Sequence, residues 1–155
     1  MTELQRSTPV VERTIAAKAE TVWAVLADGW LYPTWVVGAS RMREVDRDWP
    51  EIGSRLHHSV GNWPLLLDDQ TEVLECRPWR LLRLKAHAWP AGAAEVRIEL
   101  DPQADSSTLV RIQEDASDGP ATLVPRPARQ LAIVARNREA LQRLALIAEG
   151  RAAGS

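Results

Sequence analysis

The long segment near the carboxyl end of the chain, Pro127 to Glu149, constrains the fold most strongly. At about 100° per residue its apolar side chains fall on one broad arc of a helix, and they are Ile133, Val134, Leu141, Leu144, Ala145 and Ala148. The spacing predicts one amphipathic helix, which Gly150 would end. Roughly 23 residues at 1.5 Å per residue give a length of about 34 Å, enough to cross a small sheet.

One polar residue, Asn137, lies near the centre of this apolar arc. A buried amide needs hydrogen-bond partners. Two interpretations stay open: the amide forms a structural hydrogen bond to a strand or a buried water, or it contacts a ligand that lies under the helix. Asn137 is therefore a candidate site residue.

The preceding part of the chain predicts a strand, two short helices and six further strands. Pro9 to Ile15 is rich in β-branched residues, Ala17 to Asp28 has apolar residues at helical spacing, and Trp30 to Val37 is a short helix ended by Gly38. Six segments with alternating side chains follow, separated by Pro, Gly and Asp turns. These are Ala39 to Val45, Ser54 to Gly61, Gln70 to Arg77, Arg80 to Trp89, Ala93 to Leu100 and Thr108 to Ala116. A sheet covered by one long helix predicts a cavity between the two.

Composition and charge limit the class of protein. A chain of 155 residues with 45% hydrophobic content predicts one domain over residues 1–150, and residues 151–155 are expected to be a disordered tail. The net charge of -2 provides no basic surface of the kind that binds nucleic acid. Cys76 is the single cysteine, which excludes a disulfide within the chain. The sequence contains neither an apolar leader nor a membrane span, so we expect a cytoplasmic protein. Whether it is a monomer or a homodimer stays open.

Three stretches carry a resemblance to a known family: the pattern Val22-Trp23-x-x-Leu26-x-Asp28, the turn Pro50-x-x-Gly53, and the run from Glu72 into Arg77-Pro78-Trp79-Arg80-Leu81. Together with the order of elements from Val10 to Glu149, they resemble the START-like SRPBCC superfamily, which includes polyketide cyclases, dehydrases and lipid-transport proteins. The resemblance implies an α+β helix-grip fold. In that fold, two short helices follow strand 1, and a curved seven-stranded antiparallel sheet wraps around the long C-terminal helix. Members include carriers, enzymes and protein-binding modules, so the function must be argued from the site.

Strand alternation points two ionisable side chains toward the predicted cavity. His58 shares a face with Leu56 and Val60, and Glu114 follows the register of Ile112. With Asn137 these residues are the candidate catalytic group, in which an acid or base has a charge partner and an amide orients a carbonyl or hydroxyl group. The alternatives are that His58 and Glu114 satisfy each other, that Glu114 lies at a solvated rim, or that the strand register differs.

Candidate ligand-binding residues combine inward-facing strand and helix positions with aromatic residues near the open end of the fold. They are Trp30, Trp35, Leu56, Val60, Trp63, Leu84, Ala86, Val96, Ile98, Ile112, Val134 and Leu141. Trp35 has a second interpretation, as an anchor of its helix on the sheet. The segment Asn62 to Leu67 is either a lid over the cavity or a loop packed on its own protein.

Three functional hypotheses follow. The first is a protein that binds a small, largely apolar molecule of the lipid, polyketide or isoprenoid type, in a cavity on the order of several hundred Å³. The second is a cofactor-free enzyme of the cyclase or dehydratase type, and the third is a module that binds a protein partner. The sequence contains neither a cluster of metal ligands nor a phosphate-binding glycine motif, so we expect no metal and no cofactor.

Overall fold

The computed structural model describes residues 8–60, 64, 67–88 and 92–155. Its elements follow the predicted order. The strands are β1 Val11–Ile15, β2 Ala39–Val45, β3 Arg55–Val60, β4 Leu67–Arg77, β5 Leu81–Ala88, β6 Gly92–Pro102 and β7 Thr108–Asp118, and the helices are α1 Ala19–Ala27, α2 Tyr32–Trp35 and α3 Arg126–Ala153. Single 3-10 turns at Gly29–Leu31 and Pro120–Leu123 precede α2 and α3.

The seven strands form one antiparallel sheet in the order β1-β7-β6-β5-β4-β3-β2. Strands that are consecutive from β2 to β7 pair as neighbours, because their connections are short turns. The first strand instead pairs with the last, with Val11 opposite Ile112. The predicted helix-grip class is confirmed: two short helices follow β1, and α3 packs against β1, β7, α1 and α2.

The core lies between one face of the sheet and the helices. Alternate residues of the strands point into it, and their side chains are buried together with those of α1 and α3. The largest fully buried side chains include Ile15, Leu26, Leu56, Leu82, Leu84, Ile98, Ile112, Leu141 and Leu144. Each such side chain contributes about 1.5–3 kcal/mol relative to an exposed one. The alternating strand positions between them carry charges, as in the ion pairs of Arg83 with Glu75 and Glu95.

Helix α3 is longer than the sequence analysis predicted. It begins at Arg126 and continues through Gly150 to Ala153, so the predicted end after Glu149 is wrong. A glycine inside a helix costs only about 1 kcal/mol relative to alanine. The following residues are strong helix formers, and Ala152 packs against the core. Packing therefore extends the helix past the residue that was expected to stop it.

The buried residues of α3 lie on the predicted apolar arc, but the arc is buried only from Asn137 onward. They are Asn137, Ala140, Leu141, Leu144, Ala145 and Ala148. The predicted Ile133 and Val134 are half-buried, because the first turns of the helix extend past the densest part of the core. Asn137 is buried near the middle of the contact, as its position on the arc predicts.

The turn after α1 positions α2 against the sheet. The side chain of Asp28 accepts a hydrogen bond from the backbone amide of Trp30 at 3.2 Å. Gly29 approaches the sheet so closely that an added Cβ would lie 2.5 Å from a methyl carbon of Leu56. This approach buries Tyr32 and Trp35, the two aromatic residues of α2.

Within the described residues, no helix is long and apolar enough to cross a membrane.

Candidate functional site

A pocket of about 150 Å³ lies between the sheet, α2 and α3, and we call it the helix–sheet pocket. The sheet contributes His58, Leu84, Ala86, His87, Val96, Ile98, Ile112 and Glu114 to its wall. The segment from α2 to Gly38 contributes Tyr32, Trp35, Val36, Val37 and Gly38, and α3 contributes Arg136, Asn137 and Ala140. The volume is below the several hundred Å³ that the sequence-based hypothesis expects. It is close to that of a cavity of about 150 Å³ that holds benzene.

The three candidate catalytic residues, His58, Glu114 and Asn137, all line this pocket. Six candidate ligand-binding residues also line it, and they are Trp35, Leu84, Ala86, Val96, Ile98 and Ile112. The strand residues among them face the pocket because side chains alternate along a strand, so that every second residue points to the same face of the sheet. Their roles toward a ligand stay predictions.

The remaining candidate ligand-binding residues either do not line the pocket or lie outside the residues that the structure describes. Leu56 and Leu141 are fully buried in the core, and Val134 packs against the core without lining the pocket. Trp30 is 59% exposed and borders a separate surface groove, because the turn capped by Asp28 leaves it on the outer side. The side chain of Val60, the whole of Trp63 and most of the predicted lid from Asn62 lie outside the described residues.

His58 is held by a hydrogen bond to a neighbouring strand. Its Nε2 lies 2.9 Å from the Oγ1 of Thr71 on β4, and the Tyr32 hydroxyl lies 3.4 Å from the same oxygen. The rings of His58 and Tyr32 stack with their centroids 5.7 Å apart. The Nδ1 of His58 is buried and has no hydrogen-bond partner in the part of the chain that the structure describes. One ring nitrogen of His58 is thus fixed, and the other is left for a different partner.

Burial shifts the pKa values of His58 and Tyr32. Loss of solvent lowers the pKa of His58 below its ordinary value, against the opposing attraction of Asp69. Burial likewise raises the pKa of Tyr32 to about 12, although its hydrogen bond with Thr71 acts in the opposite direction. At neutral pH the pocket therefore presents a neutral imidazole and a neutral phenol on this wall.

A second polar group of the pocket is centred on Glu114 of β7. Its carboxylate forms an ion pair with Arg136 and accepts a hydrogen bond from the amide of Asn137. Burial raises the pKa of Glu114, and Arg136 and then Asn137 lower it without cancelling the effect. Arg136 is 43% exposed while Glu114 is 8% exposed, so the ion pair lies where the pocket meets solvent.

These contacts decide between the interpretations that the sequence left open. Glu114 pairs with Arg136 and Asn137 rather than with His58, which bonds Thr71 instead. The amide of Asn137 does form a bond to a strand residue, and it also lines the pocket. A contact between Asn137 and a ligand stays a prediction.

A second ion pair fastens the start of α3 to β7 beside this group. Arg129 donates two hydrogen bonds to Asp115, at 2.7 and 3.2 Å, and another to the carbonyl of Val124 at 2.8 Å. Burial opposes the ionisation of Asp115, but the Arg129 hydrogen bonds prevail and hold the pKa of Asp115 below its usual range. The pair anchors α3 two turns before Arg136 and Asn137.

Several residues of the site were missed by the sequence analysis: Ala140 and Arg136 line the pocket, and Thr71 forms the hydrogen bond with His58. Ala140 stands three residues after Asn137, a spacing that places both on one helix face and could have identified it. Thr71 is two residues from the buried Val73 on β4, so strand alternation carried a signal for it as well. Arg136 gave no such signal, because it lies outside the apolar arc and reaches the pocket only through its long side chain.

The pocket thus combines apolar strand side chains with two separate polar groups. A carboxyl group with a raised pKa can donate a proton at a higher pH than usual, and a neutral imidazole can accept one. Nowhere in the described part of the chain do three or more His, Cys, Asp or Glu side chains come together as a metal site.

Comparisons with known proteins agree with this fold. A family model described as polyketide cyclase / dehydrase and lipid transport matches residues 7–149. The structure is similar to the protein NE0264 from Nitrosomonas europaea, with 16% identity, a TM-score of 0.69 and coverage of 92% of this chain and 94% of that one. It is also similar to Ara h 8.0201, with 12% identity, a TM-score of 0.67 and coverage of 95% and 97%. CalU16 from Micromonospora echinospora has 15% identity and a TM-score of 0.62, with coverage of 90% and 74%. Comparison with curated proteins finds no significant match.

Proposed function

Because this chain belongs to the polyketide cyclase/dehydrase and lipid transport family, we propose that it binds a small, largely apolar molecule in the helix–sheet pocket. The observation that carries the proposal is the composition of the wall. Apolar side chains from three strands, including Leu84, Ile98 and Ile112, surround a space that also contains buried polar groups. Pockets of this kind, largely apolar with a few polar groups, are typical of small-molecule sites.

The volume of the pocket favours a compact ligand or the ring of a larger one. A space of about 150 Å³ holds one six-membered ring. A long acyl chain would have to widen the pocket or leave it past Arg136, whose exposed side chain marks the boundary with solvent. Among lipid, polyketide and isoprenoid ligands, a ring-containing molecule is therefore favoured.

Native mass spectrometry of the protein purified from its own host tests this proposal. The wild type should carry a co-purifying molecule with a mass of a few hundred daltons or less. Ala86 is half-buried in the pocket wall, so Ala86→Leu should fill part of the space and reduce the bound fraction. The matched control is Ala132→Leu, a substitution of the same size on the exposed face of α3. Equal occupancy in wild type and Ala86→Leu, or no bound molecule in any sample, would overturn the proposal.

A second candidate function is a cofactor-free enzyme of the cyclase or dehydratase type. The specific observation in its favour is that one pocket contains a buried carboxyl group with a raised pKa, Glu114, and a buried imidazole with a lowered pKa, His58. Perturbed ionisable groups in a pocket are candidates for acid and base catalysis. In that mechanism His58 removes a proton from the carbon next to a ketone. In the fraction of the protein in which Glu114 is protonated, its carboxyl group donates a proton to the carbonyl oxygen, and an enol forms.

Deuterium exchange tests this candidate without knowledge of the natural substrate. A small cyclic ketone in D2O should exchange the hydrogens next to its carbonyl faster in the presence of the protein. General acid–base catalysis contributes about 100-fold or more to rate, so His58→Gln and Glu114→Gln should each remove most of the acceleration. Arg138→Met, an exposed substitution on α3, should leave it unchanged. If the wild type does not accelerate exchange over buffer, the enzyme hypothesis loses its support while ligand binding is unaffected.

A further inference from the structure

Two nitrogen atoms in the pocket wall have no hydrogen-bond partner among the described residues, the Nε1 of Trp35 and the Nδ1 of His58. Both residues line the helix–sheet pocket, and each is only 4% exposed. Both rings contact the ring of Tyr32, with centroids 5.4 and 5.7 Å from it. The two nitrogens therefore belong to one cluster of rings on one wall of the pocket.

The two nitrogens differ in what they can bind. The indole Nε1 of Trp35 is a donor only, whereas the Nδ1 of His58 donates or accepts according to which ring nitrogen carries the proton. Buried N–H groups in folded proteins are almost always paired, because an unpaired one loses its hydration without compensation. The residues of this wall thus include one obligatory donor and one adaptable ring nitrogen, both without a partner among the described residues.

In another tryptophan of the same chain, the buried indole nitrogen has a hydrogen-bond partner. Trp49 is also buried, and its Nε1 donates to the backbone carbonyl of Leu26 at 3.3 Å. The core of this protein thus satisfies the donor of Trp49, while the donor of Trp35, a residue that lines the pocket, is buried without a partner among the described residues. The difference lies in location, because Trp35 lines the pocket and Trp49 does not.

We propose that the Nε1–H of Trp35 donates a hydrogen bond to an oxygen atom of the ligand, and that the pocket therefore selects a small cyclic ketone over a hydrocarbon of the same shape. The inference rests on the proposed function, because it names the ligand chemistry of that pocket. Leu84, Ile98 and Ile112 contact the carbon ring, whose size a space of about 150 Å³ accommodates. The Nδ1 of His58 is the second hydrogen-bonding atom, which can donate to a carbonyl group or bond a hydroxyl group on the same ring. Trp35 is then a specificity-determining residue as well as the apolar anchor of α2.

Two probe molecules isolate the hydrogen bond. Cyclohexanone and methylenecyclohexane have nearly the same shape, but only the ketone offers an oxygen acceptor. We measure the affinity of each by NMR titration of 15N-labelled protein, for wild type, Trp35→Phe and Trp49→Phe. A net hydrogen bond corresponds to about a three- to tenfold change in affinity. The preference of wild type for cyclohexanone should therefore fall about three- to tenfold in Trp35→Phe. Trp49→Phe should not change the preference, because its indole donates to the core.

A second readout does not require the variant to fold. In wild-type protein the Nε1–H signal of Trp35 should move to lower field with cyclohexanone and less with methylenecyclohexane, while the signal of Trp49 stays in place. The inference is wrong, and the proposed function stands, if two results are found together. The preference for cyclohexanone over methylenecyclohexane is the same in wild type and Trp35→Phe, and the Trp35 signal of the wild type responds equally to both molecules. If neither molecule perturbs any signal from the pocket, both are wrong.

Discussion

Glu114 on β7 and Arg136 on α3 form an ion pair across the opening of the helix–sheet pocket, with the carboxylate buried and the guanidinium partly exposed. The pair joins the sheet to the long helix at the side of the pocket where the guanidinium of Arg136 reaches solvent. Removal of the cation should therefore affect both stability and the ionisation of Glu114.

We expect Arg136→Met to lower the free energy of unfolding by about 1–3 kcal/mol at neutral pH, because a buried carboxylate loses its cation. The loss should shrink at acid pH, where the carboxyl group is protonated in the folded and the unfolded protein. Urea unfolding of the variant at two pH values measures both effects. Arg138→Met, on an exposed position of the same helix, is the control; a loss as large in the control would contradict the role of the ion pair.

Glu114→Gln should change how stability depends on pH. The folded protein raises the pKa of Glu114 above its ordinary value of 4.5, so it holds that proton more tightly than the unfolded chain does. The contribution of Glu114 to stability is therefore fully present below the unfolded pKa and is lost as pH rises through the folded pKa. Wild-type stability relative to Glu114→Gln should fall by up to about 1.4 kcal/mol per pH unit in that window. Urea unfolding across the window measures this difference, and a difference independent of pH would be the contrary result.

Asn137→Leu should preserve the fold and lower its stability by about 1–2 kcal/mol, because the buried carboxylate of Glu114 loses one of its hydrogen bonds. The same change in a Glu114→Leu background should cost much less, since no buried carboxyl group remains to be satisfied. Urea unfolding of the two single variants and the double variant gives the coupling energy. Additive losses would mean that the amide acts on a different partner.

Arg129→Lys should loosen the start of α3. A lysine retains the charge but cannot reproduce the two parallel hydrogen bonds to Asp115 together with the bond to the carbonyl of Val124. We expect a loss of about 1–3 kcal/mol in stability, and faster hydrogen exchange over the first turns of α3 than over its last turns. Arg138→Lys is the matched control. Uniform exchange along the helix would show that the Asp115 contact does not hold its beginning.

Much of the fold could be predicted because its signals are local. Alternation along β3 and β7 points His58 and Glu114 inward whatever strands lie beside them. Helical spacing likewise places Asn137 on the buried side of α3. The end of α3 could not be predicted in this way, because the local signal of Gly150 competes with helix-forming neighbours and with packing by Ala152.

The sequence by itself determined which face each of these side chains would occupy, since periodicity is a property of the backbone. Only the tertiary structure decided their partners. Glu114 pairs with Arg136 because α3 packs across β7, and β7 itself pairs with β1 from the other end of the chain. His58 bonds Thr71 because β3 pairs with β4. Tyr32 lies beside them because the close approach of Gly29 to the sheet positions α2 there. Contacts between elements distant in sequence depend on how whole elements dock, and no local pattern encodes that.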